Sequence, residues 1–162
     1  MMERPLRTSK PLDAIDRKIL ATLQADGRIS LADLAARVGL SPSPCLRRMR
    51  MLESNGTIAR YVAVLDQEKA GLPASVFVSI KLDSQREQAL NRFTKAIARW
   101  PEVLECYLMT GPRDYLLRVV VADLAAYDRF LKQKLTKLEG IASIESSFAL
   151  EQVKYTNVLP LE

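Results

Sequence analysis

The stretch Ser30-Leu-Ala-Asp-Leu-Ala-Ala-Arg-Val-Gly-Leu-Ser-Pro-Ser-Pro-Cys-Leu-Arg-Arg-Met-Arg-Met-Leu52 reads as two short helices joined by a tight turn. Ser30 with Asp33 has the spacing of a capping box, so a helix is expected to begin at Leu31. Leu31, Leu34, Ala35 and Val38 then recur at helical spacing, and Gly39 stands where a left-handed residue ends a helix without a Cβ penalty. Ser41-Pro42-Ser43-Pro44 offers a serine cap followed by proline twice over, which leaves the second helix starting at Pro42 or Pro44. At 100° per residue, Cys45, Met49 and Leu52 share one face of that helix, while Ser43, Arg47 and Arg50 lie roughly opposite. An apolar seam backed by an arginine-bearing face suits the major groove, because arginine can pair with guanine through two hydrogen bonds or hold a phosphate. Three arginines in four residues also describe an ordinary solvated face, and short capped helix pairs occur in other helical domains. Arg48 lies nearer the seam and is a candidate either for DNA or for an ion pair with Glu53 or Asp16.

The charge distribution favours DNA. The net charge is +5; residues 1–60 hold eleven Lys/Arg against six Asp/Glu, and the remaining residues hold thirteen of each. The whole basic excess therefore sits with the helix pair, the electrostatic footprint of a nucleic-acid-binding module joined to a neutral domain. Hydrophobic content of 48% in 162 residues suffices for ordinary cores. The absence of histidine and a count of two cysteines argue against histidine-based catalysis and against the usual zinc sites. Cys45 and Cys106 read as buried, reduced thiols, with a thiol- or cysteine-responsive Cys106 as the sharper alternative. No apolar run reaches the 18 to 20 residues, roughly, that span a bilayer. The polar opening MMERPLRTSKP lacks an apolar signal core, and a cytoplasmic protein with a basic arm over residues 1–11 is expected.

Asp13 to Ala25 carries Ile15, Ile19, Leu20 and Leu23 as a helical stripe behind an Asp13 cap, which gives a third helix against the pair. Glu53 to Gly56 is a turn, and Thr57 to Leu65 is rich in β-formers, read as an extended segment with a wing-like hairpin at its start. The helix-turn-helix domain is thus expected over 12–60 and a strand and hinge over 61–73. In 74–162 the periods alternate: a strand on Val76 to Leu82, a helix on Leu90, Phe93 and Ile97, strands over Val103–Thr110 and Tyr115–Val121, a helix on Leu124 to Leu138, and a strand from Ile144 to Val153. This β-α-β-β-α-β order suits a ferredoxin-like sandwich, so the fold class is α+β. One sheet face bears Phe77 and Leu116 without a helix to cover it, which predicts a symmetric homodimer formed sheet to sheet.

Two sets of motifs resemble a known family. Leu12 to Leu20, Asp26 to Ser30, Val38 to Pro42, Cys45 to Arg48, Leu52-Glu53 and Gly56 to Ile58 are similar to the DNA-binding half of the Lrp/AsnC, or feast/famine, regulators. Thr110 to Leu116 and Ser146 to Lys154 are similar to that family's effector-binding half. The resemblance covers about residues 12 to 161. It implies a bacterial or archaeal regulator of transcription, acting in the cytoplasm at the nucleoid, whose dimers assemble into tetramers or octamers and whose DNA binding or assembly responds to a small amino acid. It also implies an effector site at Gly111 and Asp114, with Ser146 and Ser147 as weaker candidates. The chemistry agrees: Asp114 can accept from an ammonium, a glycine turn exposes amides, and Arg113 can neutralise a carboxylate. Gly-Pro-Arg-Asp is equally the composition of a plain hairpin turn.

DNA contacts are accordingly expected from Ser41, Ser43, Arg47, Arg48 and Arg50, on a pseudo-palindromic double-stranded operator with half-sites about 34 Å apart. No cofactor or metal is expected beyond the amino acid. An enzyme on the second half finds no histidine, thiol pair or phosphate loop to work with, and a DNA-free sensor leaves the helix pair and its charge unused.

Overall fold

The computed structural model describes residues 11–161, so the arm expected over 1–11 falls outside it apart from Pro11. The chain divides into two compact units: a helical one up to Val64 that also takes in Lys154 onward, and a second over Leu65–Val153. The far boundary differs from the expected 74–162, since the residues after 153 join the helical unit.

In the helical unit, α1 spans Ala14–Ala25, α2 Leu31–Val38 and α3 Pro42–Ser54. Each start has a local cause. Asp13 accepts from the amides of Ile15 and Asp16 while Asp16 reaches back to the Asp13 amide, closing a capping box. Ser30 Oγ accepts from the Asp33 amide at 3.1 Å and donates to the Asp33 carboxylate at 2.6 Å. Ser41 occupies the cap of α3 with Pro42 as the first helical residue, but its side chain makes no capping bond. Gly39, at φ 74°, ends α2 in the left-handed region, where any Cβ would be strained, and turns the chain so that Leu40 N donates to Ala35 O at 2.9 Å. Ile19, Leu20, Leu34, Ala35, Val38, Cys45 and Leu52 form the core.

Beyond α3 no strand or helix forms over Thr57–Leu65. Tyr61, Val62, Val64 and Leu65 are exposed. A β-former sequence makes a strand only with a neighbour to bond, and this segment has none among the described residues.

In the second unit, β1 is Ala74–Leu82, α4 Glu87–Ile97, β2 Val103–Leu108, β3 Tyr115–Val121, α5 Leu124–Gln133 followed by a 3-10 turn at Leu135–Lys137, and β4 Ile141–Phe148. The sheet order is β2-β3-β1-β4 with every neighbouring pair antiparallel, the ferredoxin-like arrangement. Val76, Val78, Ile80 and Leu82 with Tyr115, Leu117, Val119 and Val121 fill one sheet face and pack on Phe93, Ile97, Tyr127 and Phe130 from the helices. The strand expected at Ile144–Val153 begins three residues earlier and stops at Phe148: Phe148 faces Val76, and beyond it only Ala149 N finds a β1 acceptor, Ser75 O. β2 likewise stops at Leu108, short of Thr110.

Antiparallel register places Phe77, Ser79 and Lys81 on the opposite face, beside Leu116 and Arg118, Glu105 and Tyr107, and Ser143, Glu145 and Ser147. Phe77 is 40% and Tyr107 53% exposed there. Arg118 crosses this face to Glu105 (3.0 Å) and to Gln67 (3.0 Å). Cys106, expected to be buried, is exposed on the edge strand β2, although desolvation still pushes its thiol up to about 11. At neutral pH it is a protonated, weak nucleophile.

Candidate nucleic-acid interface and effector turn

Cys45 and Leu52 are fully buried against α1 and α2, and that seam fixes the rotation of α3. Ser43, Arg47 and Arg50 consequently stand exposed on the outer face, and among the described residues neither arginine joins an ion pair. Ser41 is exposed at the N-terminus of the helix, with its hydroxyl free of any capping bond. Four polar side chains and a helix start thus present donors outward, which is what a phosphate backbone and guanine edges accept.

Arg48 is different, and the structure takes it out of the outward-facing set. Its Nη1 lies 2.7 Å from Asp13 Oδ2 and 2.7 Å from Asp16 Oδ1. The pairing expected with Asp16 is present; Glu53 instead accepts from the Tyr61 hydroxyl at 3.1 Å. The Asp16 amide first, and then the Arg48 guanidinium, hold the Asp13 carboxyl below its usual range. Arg48 therefore bolts α3 to the capping box of α1.

The turn between β2 and β3 places Gly111 at φ 111°, a conformation that β-carbons disfavour, and closes with Met109 N donating to Asp114 O at 2.9 Å. Asp114 does not face outward as an acceptor for a ligand ammonium. It is 4% exposed, and its carboxylate accepts from the Leu82 amide (2.7 Å), Gln85 Nε2 (2.7 Å) and Lys81 Nζ (3.3 Å). Burial alone would raise its pKa; these three donors together leave it below the usual carboxylate value. Asp114 holds the turn against the β1–α4 connection, where the bulge at Lys81/Leu82 frees the Leu82 amide from the ladder.

Arg113 reaches across to β4, donating to Ser143 Oγ at 2.7 Å and pairing with the Glu145 carboxylate. Ser146 and Ser147 are separated by the pleat. Ser146 lies on the helix side, sharing a hydrogen bond with the Tyr127 hydroxyl, whereas Ser147 pairs in register with Phe77 on the open face. The turn thus assembles Gly111, Arg113, Ser143 and Glu145. Sequence reasoning missed Ser143 and Glu145, although the period of two along β4 puts 143, 145 and 147 on one side. A cavity of about 300 Å³ lies at this end of the sheet, lined among others by Asp83, Arg86, Arg92 and Glu139, but not by the turn residues. Among the described residues no cluster of His, Cys, Asp and Glu stands together as a metal site, and no helix is long and apolar enough to cross a membrane.

Comparison with known proteins divides the chain into the same two parts, except that residues 154–159 go with the second. Residues 12–59 match the winged helix-turn-helix DNA-binding family and residues 75–159 the Lrp/AsnC ligand binding domain. The Bkd operon transcriptional regulator of Pseudomonas aeruginosa is 50% identical over 150 residues, 93% of this chain and 98% of that protein. The crystal structure of an AsnC family transcriptional regulator from Agrobacterium tumefaciens is similar at TM-score 0.88 and 50% identity, over 93% of this chain and 97% of that one. A Neisseria meningitidis transcriptional regulator solved as its L-Met complex also gives TM-score 0.88, at 39% identity and the same coverage. With both halves matched in order, the chain belongs to the Lrp/AsnC family of DNA-binding transcriptional regulators.

Proposed function

We propose that this regulator works as a homodimer, assembled further into tetramers or octamers, that lays α3 of each copy into successive major grooves of a pseudo-palindromic operator. Ser41, Ser43, Arg47 and Arg50 make the contacts, and a small amino acid bound at the β2–β3 turn adjusts affinity or assembly. It acts in the cytoplasm at the nucleoid and uses no metal or cofactor. The observation that carries this reading is the pair of exposed, unpaired arginines on the outer face of a capped second helix, in a unit that holds the chain's whole basic excess.

For the effector, the L-Met complex of the N. meningitidis relative supports an amino acid as the ligand class. The chain offers a preformed cation and anion at the turn, Arg113 and Glu145. A zwitterion is complementary to both: its carboxylate takes the guanidinium and its ammonium takes the Glu145 carboxylate. Asp114 supports that site from behind instead of touching the ligand.

Thermal shift against each of the twenty amino acids tests the sensor half. A ligand that binds only the native state adds about 2.7 kcal/mol at a hundred times its Kd, so one or a few amino acids at millimolar concentration should raise Tm by several degrees. Glu145→Gln should abolish that shift while leaving the unliganded Tm nearly unchanged. If none of the twenty moves Tm, the amino-acid assignment fails. Gel shift with the DNA upstream of the protein's own coding region tests the other half, and indifference to that DNA at low salt would sink it.

A further inference from the structure

The helical unit is closed by a piece of chain that comes from the other end of the sequence. From Lys154 onward the residues belong to the helical unit. Two contacts hold them there. The Gln24 carboxamide, in the last turn of α1, accepts from Leu159 N at 2.6 Å and donates to Leu159 O at 3.1 Å. Two residues later Leu161 packs on the cluster of Ile19, Leu20, Leu34 and their neighbours. A side-chain amide that bonds both the N–H and the C=O of a single residue imitates an adjacent β-strand, and it fixes the register of the docked segment to one residue.

We infer that residues 156–161 form an intrachain strap whose docking site is the face of α1 around Gln24, and that the strap completes the core of the DNA-binding unit. The core it joins is small: among the described residues it has seven buried apolar side chains, against thirteen in the sheet unit. A core of that size is marginal, and an added leucine is a large increment to it. Apart from these two anchors the strap is open to water, with the side chains of Val158 and Leu159 exposed. It is held at two points, as a latch is, and so its opening costs far less than unfolding the unit.

The strap follows β4, which ends at Phe148, after the five residues 149–153. Its anchor Gln24 stands on α1, the helix that Arg48 joins to α3, so the strap acts on the same small core that fixes the rotation of α3.

Amide hydrogen exchange on the full-length chain tests this without an effector or DNA. Alanine is the best helix former, so Gln24→Ala leaves α1 no weaker by itself and any loosening reports the lost strap. In the wild type the Leu159 amide should exchange at least about tenfold slower than an unstructured amide; Gln24→Ala should remove that protection. Leu161→Ser should release the same amide although it leaves the Gln24 bonds intact, because the two anchors hold one segment. Both variants should speed exchange in α1 and leave β1 and β3 unchanged. An unprotected Leu159 amide in the wild type overturns the inference, as does protection that survives Gln24→Ala or an equal loosening of the sheet unit. Failure of the amino-acid reading would leave these rates untouched, so the two proposals stand or fall separately.

Discussion

The carboxylate of Asp114 takes three donors from the short run Lys81 to Gln85, and each donor loses its partner if the side chain is shortened. Because the Leu82 amide is buried with it, Asp114→Ala should cost about 2–4 kcal/mol, read as a lower urea midpoint with an unchanged m-value. The pH dependence has a definite sign. The folded pKa lies below that of an unfolded aspartate, near 3.9, so the stabilisation is fully present above that value and disappears as pH falls through the lower, folded one. The gap between wild type and Asp114→Asn should therefore narrow between pH 7 and pH 3; a gap that stays constant or widens on acidification would show that the carboxylate's charge does not matter. Arg113 makes a contrasting case a single residue earlier. Its partners Ser143 and Glu145 are on a different strand and its side chain is 31% exposed, so Arg113→Ala should leave stability within about 1 kcal/mol and act on ligand binding.

Within α3, consecutive arginines divide between two jobs, and the division is measurable. Arg47→Ala and Arg50→Ala should leave Tm nearly unchanged, weaken operator binding at matched salt, and each reduce the slope of log K against log salt by roughly one where the lost contact is a phosphate. Arg48→Ala should do the opposite: it strands Asp16, 5% exposed, without its cation, so it should lower Tm by several degrees and leave the salt slope unchanged. A double Arg47/Arg50 variant with wild-type affinity would remove α3 from the interface. These elements were legible in the sequence because their limits are local. Asp13, Ser30 and Gly39 act on backbone within four residues, and a 3.6 period sorts Cys45 and Leu52 from Arg47 and Arg50 without reference to anything distant. Strand limits are not local. β4 ends where its pairing with β1 ends, and Thr57–Leu65 has the composition of a strand but no partner among the described residues, neither of which its own residues record. The effector turn is not local either. Asp114 reads as a free acceptor because the donors that occupy it lie about thirty positions away, and Ser146 and Ser147 are adjacent in sequence while the pleat sends them to opposite faces.

For the whole molecule, the proposed homodimer would use the open face of the sheet. Phe77 and Tyr107 are exposed there beside Leu116, while the nearest cation, Arg118, is already neutralised within the chain by Glu105. A face that is apolar at its centre and internally paired at its rim is built to be covered by an identical face, since a two-fold contact buries each aromatic twice. Phe77→Lys should therefore act twice per dimer. It puts a solvated cation at the centre of the open face and removes an aromatic anchor from each copy. With about 2 kcal/mol for each such anchor, the dimer dissociation constant should rise by roughly a thousandfold. Phe77 is 40% exposed in the single chain, so the fold itself should tolerate the change, and the circular dichroism of the monomer should match that of the wild type. Sedimentation at micromolar concentration should then show monomer where the wild type shows dimer or larger. Operator affinity should fall to that of a single helix-turn-helix unit on a half-site, even though Arg47 and Arg50 are untouched, because two half-sites about 34 Å apart are read together only when the second unit holds two copies at that spacing. A Phe77→Lys protein that still sediments as a dimer and binds operator normally would place the two-fold contact on some other surface, with the edge strand β2 and its exposed Leu104 and Leu108 the next to test.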